Sequence, residues 1–129
     1  MKKVIIASVI IFILLLAGIL IYSSIGTTYK GRLPCADCPG IDTTLTLYIN
    51  NTYSEKNIYE GRNSSYEEVG RWNKIKSSTK DPQSSYLELL PPGKGGKRYY
   101  RLQNDKLLPL DGNLGSINSP FDMSLTKIK

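Results

Sequence analysis

The chain has 129 residues, with 17 Lys and Arg against 11 Asp and Glu, a formal net charge of +6, two cysteines and no histidine. That length fits one domain. The missing histidine excludes Ser–His–Asp and Cys–His catalysis and most zinc sites with mixed ligands.

From Val4 to Tyr22 the sequence reads VIIASVIIFILLLAGILIY, with no charge inside it. A run of about 19 residues just reaches the length of a spanning helix. A signal peptide has an apolar region of roughly 7–15 residues and a small-x-small cleavage site. Here the run is longer, and Ser23-Ser24-Ile25-Gly26-Thr27 offers a poor site. Residues 1–22 are therefore expected to be an uncleaved N-terminal membrane anchor. A cleaved signal segment is the alternative, and a buried helix of a soluble protein ranks behind both. Lys2 and Lys3 keep the N-terminal end cytoplasmic by the positive-inside bias, so the rest would face the periplasm or the cell exterior. No cysteine lies near the end of the run, so an acylated N-terminus is not expected. With Lys2 and Lys3 set aside, the remaining basicity is mild and scattered. It suits solubility or contact with anionic headgroups rather than nucleic acid.

Residues 23–28 read as a short linker and residues 29–129 as the exported domain. Its texture is β. Thr44–Ile49 alternates polar and apolar residues, putting Leu45, Leu47 and Ile49 on one face. Asn50-Asn51 suits a tight hairpin turn into Thr52–Tyr59, because Asn tolerates positive φ. Gly61 and Arg62–Ser65 mark the next turn, and Tyr66–Trp72 the next strand. Lys76–Ser84, with Asp81-Pro82, reads as a loop. Tyr86–Leu90, Arg98–Leu102 and Lys106–Leu110 are further strands, separated by Pro91–Gly96 and by the Asn104-Asp105 turn; Phe121–Leu125 is a candidate to close the structure. Short strands at spacings of about 8–12 residues imply an all-β antiparallel barrel or sandwich, and a small barrel also removes exposed strand edges. The expected interior is Leu45, Leu47, Ile49, Trp72, Leu87, Leu89, Tyr100, Leu102, Leu108 and Leu110.

Few residues suggest chemistry. Glu67 and Glu68 are adjacent in a strand and must face opposite sides, so they cannot form a glycosidase-type pair. Asn50-Asn51-Thr52 and Asn63-Ser64-Ser65 have the glycosylation pattern, a short one that arises by chance. Lys94-Gly95-Gly96-Lys97-Arg98, with Arg101, reads as a solvated basic hairpin, with headgroups or an acidic partner as the alternative. No enzyme activity is expected. The remaining feature is Leu33-Pro34-Cys35-Ala36-Asp37-Cys38-Pro39-Gly40-Ile41. A redox pair needs its first cysteine at a helix N-terminus, whereas Pro39-Gly40 follow and Asp37 disfavours a thiolate. Zinc needs about four ligands. Cuprous ion accepts two soft thiolates. In an oxidising compartment the plainest reading is a local Cys35–Cys38 disulfide. Copper binding and an exchange-active pair stay open beside it.

Gly31-x-Leu33-Pro34-Cys35-Ala36-Asp37-Cys38-x-Gly40-Ile41-x-Thr43 resembles the signature of the NlpE N-terminal domain family. Leu45-x-Leu47, Asn51-Thr52-Tyr53, Tyr59-x-Gly61, Gly70-x-Trp72, Tyr99-Tyr100-Arg101, Leu110-Asp111 and Phe121 follow in the family's order. The resemblance covers roughly residues 29–125. It implies a lipocalin-like antiparallel barrel and a role at the bacterial envelope in stress sensing, relayed to a sensor kinase. It also implies copper tolerance, with Cys35 and Cys38 as the suspected metal ligands. Two departures accompany it. Family members are typically anchored through an acylated cysteine, which a fixed inner-membrane anchor would replace here. The second domain of two-domain members has no counterpart before Lys129. A lipocalin-like carrier of a small apolar ligand is the competing function.

Overall fold

The computed structural model describes residues 1–76 and 84–129. A helix, α1 (Lys2–Ser24), precedes eight strands: β1 (Gly26–Leu33), β2 (Ile41–Tyr48), β3 (Thr52–Tyr59), β4 (Ser64–Ile75), β5 (Ser85–Leu90), β6 (Arg98–Gln103), β7 (Lys106–Leu110) and β8 (Leu125–Lys127). The strands pair antiparallel in chain order, and β8 returns to β1 through Tyr29↔Lys127 and Lys30↔Thr126, closing a barrel. Closure leaves each of these strands with a neighbour on both sides.

An eight-stranded barrel is just wide enough for side chains to fill. Tyr29, Leu45, Leu47, Tyr53, Leu87, Leu89, Tyr100, Leu107 and Leu125 fill this one, with Leu33, Trp72 and Leu102 packed against them. Three expected interior residues lie elsewhere. The Asn104-Asp105 turn, with φ of 49° and 60°, sets Leu102 opposite Leu107. Directly paired residues share a face, so Leu107 points inward, and Leu108 turns outward. Ile49 lies beyond the end of β2 at the barrel mouth, 42% exposed. Leu110 is buried, but in a groove on the outer face with Leu108.

Some boundaries also differ from expectation. The closing strand is Leu125–Lys127, not Phe121–Leu125, and Phe121 is exposed. The expected linker over 23–28 reduces to Ile25, since α1 runs to Ser24 and β1 starts at Gly26. Ile25 is extended, and its carbonyl accepts a hydrogen bond from Ile49 N–H at 3.0 Å, so the sheet begins at once. Of the expected Lys76–Ser84 loop, residues 77–83 lie outside the described residues. The Asn50-Asn51 hairpin is as expected, with Asn51 at φ 64°.

Over Lys2–Tyr22, α1 is unburied, and its apolar residues are exposed all round. At 1.5 Å per residue, 21 residues span about 32 Å, roughly the hydrocarbon thickness. Gly70 is required by packing: a Cβ there would sit 2.6 Å from both Leu90 O and the Tyr53 ring.

Candidate functional site

The two cysteines lie in the connection between β1 and β2, at the end of the barrel opposite α1. They form a disulfide, with Cα atoms 5.3 Å apart. The turn docks on the next hairpin. Glu60 N–H donates to Gly40 O at 3.0 Å, and Arg32 reaches both Pro39 O (3.1 Å) and the Glu60 carboxylate. Arg62 pairs with the Asp37 carboxylate and donates to Asp37 O at 3.3 Å. Both ion pairs are exposed, so each contributes little alone. Their effect is to fix where the loop sits. The sulfurs, having no proton, only contact their neighbours: Cys35 Sγ lies 3.6 Å from Asp37 Oδ1 and Cys38 Sγ 3.3 Å from Gly40 O.

Beneath this rim the barrel interior turns polar. Glu55 on β3 and Glu68 on β4 are directly opposed across the ladder, both facing inward. Like charges so placed repel. Arg98, at the start of β6, lies between them. Its Nη1 donates to both Glu55 oxygens (2.9 and 2.8 Å) and its Nη2 to Glu68 Oε1 (2.6 Å) and Tyr53 Oη (3.3 Å). Tyr53 donates to Glu68 Oε1 at 2.6 Å. Asn57 bonds Glu55 at 2.8 Å, and Thr43 bonds Asn57 at 2.6 Å. Burial holds the Tyr53 phenol well above its ordinary range and pushes Tyr100 up to about 12. Burial lowers the Arg98 pKa, but the Glu55 carboxylate more than offsets it, and the net shift is upward.

Arg98 thus departs from the solvated basic hairpin expected for Lys94–Arg98. Lys97 pairs with Glu88 at 2.7 Å, and that bond holds the Glu88 carboxyl below its usual range. Arg101 lies on the outer face in a groove of about 190 Å³ with Leu108, Phe121 and Met123. Glu67 faces outward and Glu68 inward, as their adjacency required. The Glu55–Glu68–Arg98 cluster escaped the reading of the sequence. Its signal was the inward parity of Tyr53-x-Glu55-x-Asn57, which places an acid where an apolar residue is usual.

At the opposite end, next to α1, the barrel mouth holds a pocket of about 220 Å³ lined by Leu47, Ile49, Trp72, Leu87 and Leu102. Trp72 Nε1 donates to Tyr48 O at 2.9 Å, tying β4 to the β2–β3 hairpin.

The NlpE N-terminal domain profile matches residues 29–120. The chain belongs to the NlpE N-terminal domain family. The lipoprotein NlpE of Escherichia coli strain K12 is 36% identical over 101 residues, which is 76% of this chain and 39% of that protein. The crystal structure of the Cpx pathway activator NlpE from Escherichia coli superposes with a TM-score of 0.59 at 34% identity, covering 80% of this chain and 51% of that one. A putative lipoprotein from Shewanella oneidensis superposes with a TM-score of 0.59 at 30% identity, covering 78% and 85%. This chain therefore spans well under two thirds of the Escherichia coli protein.

Among the described residues of this NlpE-family barrel, the donor set for a metal would be Cys35, Asp37 and Cys38, whose ligand atoms lie within 4.8 Å of one another. Joined as a disulfide, the sulfurs offer no thiolate, so this form does not suit cuprous ion. Only reduction would free two soft donors beside a carboxylate.

Proposed function

We propose that the chain is a non-catalytic protein of the bacterial envelope, held in the inner membrane by an uncleaved α1, with its barrel in the periplasm, and that it takes part in envelope-stress sensing. The observation that carries this reading is the match, over 80% of the chain, to a protein described as a Cpx pathway activator. The all-apolar, unpacked α1 supports the anchor. A sensor kinase of the envelope-stress type is the proposed recipient of the signal. The disulfide rim is the part of the barrel offered to the periplasm.

The test is to produce the full chain in Escherichia coli lacking its own NlpE and to follow a Cpx-dependent reporter. A several-fold rise that needs the sensor kinase is expected. No rise, with the chain present in the membrane fraction, overturns the signalling role. The mass of the recovered chain checks anchor retention directly.

Copper tolerance through Cys35 and Cys38 belongs to the reduced protein in this proposal. Cuprous titration of the reduced chain should show a site that Cys35→Ser/Cys38→Ser lacks, and equal affinity would remove the pair from consideration. The carrier reading has less room: Tyr53, Tyr100 and the leucines occupy the interior, and the mouth pocket falls below the about 300 Å³ usual for ligand sites.

A further inference from the structure

Ile25 alone separates α1 from β1, and its carbonyl is already bonded to Ile49. If α1 spans the bilayer, one extended residue reaches no more than about 3.5 Å, so the end of the barrel that carries Gly26 lies at the headgroup layer. That end has a distinct composition. Lys74, near the end of β4, faces the barrel mouth opposite Leu87; Lys76 follows β4, Lys106 starts β7, and Lys127 and Lys129 lie beside β1. Among the described residues, Asp105 supplies the one side-chain carboxylate there, 3.8 Å from Lys127. Ile25, Ile49 and Ile128 are exposed on the same rim. At the opposite rim charges are mixed, with Arg32, Asp37, Glu60 and Arg62 paired among themselves.

From the short tether and this charge distribution we infer that the α1-proximal rim of the barrel docks on anionic phospholipid headgroups of the membrane that α1 enters. A cluster of about four to eight basic residues beside a spanning helix is the recognised pattern for such contact on an anionic cytoplasmic leaflet, and the same attraction acts at any membrane face that carries anionic headgroups. The isoleucines enter the interfacial layer, and the lysines pair with phosphates. The barrel is then held against the bilayer with its Cys35–Cys38 rim outward, rather than swinging on its anchor. The basic segment Lys94–Lys97, at the far rim, takes no part. This inference rests on the anchor reading above.

The test uses the full chain in nanodiscs of phosphatidylglycerol with phosphatidylethanolamine, and of phosphatidylcholine alone. Amine-reactive labelling is read by mass spectrometry at each lysine. Lys74, Lys76, Lys127 and Lys129 should label about five-fold more slowly in the anionic discs, and the protection should fade at 1 M salt, where the screening length is about 3 Å. Lys94, exposed at the far rim, should label alike in both. Lys74→Gln/Lys76→Gln should weaken the protection of Lys127 and Lys129. Equal labelling in the two lipids, with the chain retained after an alkaline wash, overturns the docking and leaves the anchor intact. Loss of the chain on that wash overturns the anchor, and with it the tether that sets the rim on the membrane.

Discussion

Arg98 Nη1 lies 2.8 Å from Glu55 Oε2, joining residues 43 apart in the chain at the centre of a polar layer that lies inside an otherwise apolar barrel. Glu55 is only 5% exposed, and Arg98 is the cation its carboxylate meets there. Removing one member of a buried pair strands the other, at a cost of about 3–5 kcal/mol. Arg98→Met should therefore lower stability by that order in urea titration. Because Glu68 faces Glu55, the loss should shrink when both acids are made Gln in the same chain. If Arg98→Met unfolds at the wild-type midpoint, the cluster does not hold the interior together.

The disulfide should matter less to stability. A closed loop this short adds about 2 kcal/mol by chain entropy. Cys35→Ser/Cys38→Ser should therefore cost no more than that, because the Glu60–Gly40 backbone bond and the Arg32 and Arg62 contacts still hold the turn. Thermal unfolding with and without reductant measures it. A loss larger than that of Arg98→Met would mean that the rim, not the interior, controls the fold.

Gly70→Ala places a methyl group against Leu90 O, a backbone atom that cannot step aside, and against the Tyr53 ring. Overpacking of this kind costs about 1–3 kcal/mol. The same change at Gly112, where a Cβ would meet nothing within 4 Å, should be nearly neutral. Urea midpoints for the two variants provide the comparison.

Alkali should destabilise the barrel through its buried phenols. Tyr100 is pushed up to about 12 from an ordinary value of 10.0. The folded state keeps that proton after the unfolded state has released it, so stability falls as pH rises from about 10 toward 12. Two pKa units correspond to about 2.7 kcal/mol, an order of magnitude for this group. Absorbance at the phenolate band should show Tyr100 and Tyr53 ionising last among the nine tyrosines. Replacing Tyr100 with Phe should flatten the dependence.

Much of this barrel is legible from period-two alternation. Leu45, Leu47, Leu87 and Leu89 read inward because each strand has one apolar face. Adjacent leucines defeat that rule. Leu107 and Leu108 are equally apolar, and only the register set by the Asn104-Asp105 turn decides between them. Tyr29, Tyr53 and Leu125 are not legible in this way, because short-range pattern does not show which polar-tipped or terminal residues a closing barrel will cover. The Glu55–Arg98–Glu68 cluster was hidden for a related reason: its members come from three strands, and their meeting is a property of closure. The cysteine pair is local, three residues apart, and so it could be read directly.

α1 and the Cys35–Cys38 loop leave β1 at its two ends. Eight residues at about 3.3 Å, tilted as barrel strands are, raise the loop about 20 Å above the start of the strand. With the barrel seated on the bilayer, that distance is a fixed height and not a sweep. A partner sharing the same membrane could then touch the disulfide only if its own exported part stands equally tall. Approach from the side of the outer envelope would carry no such requirement.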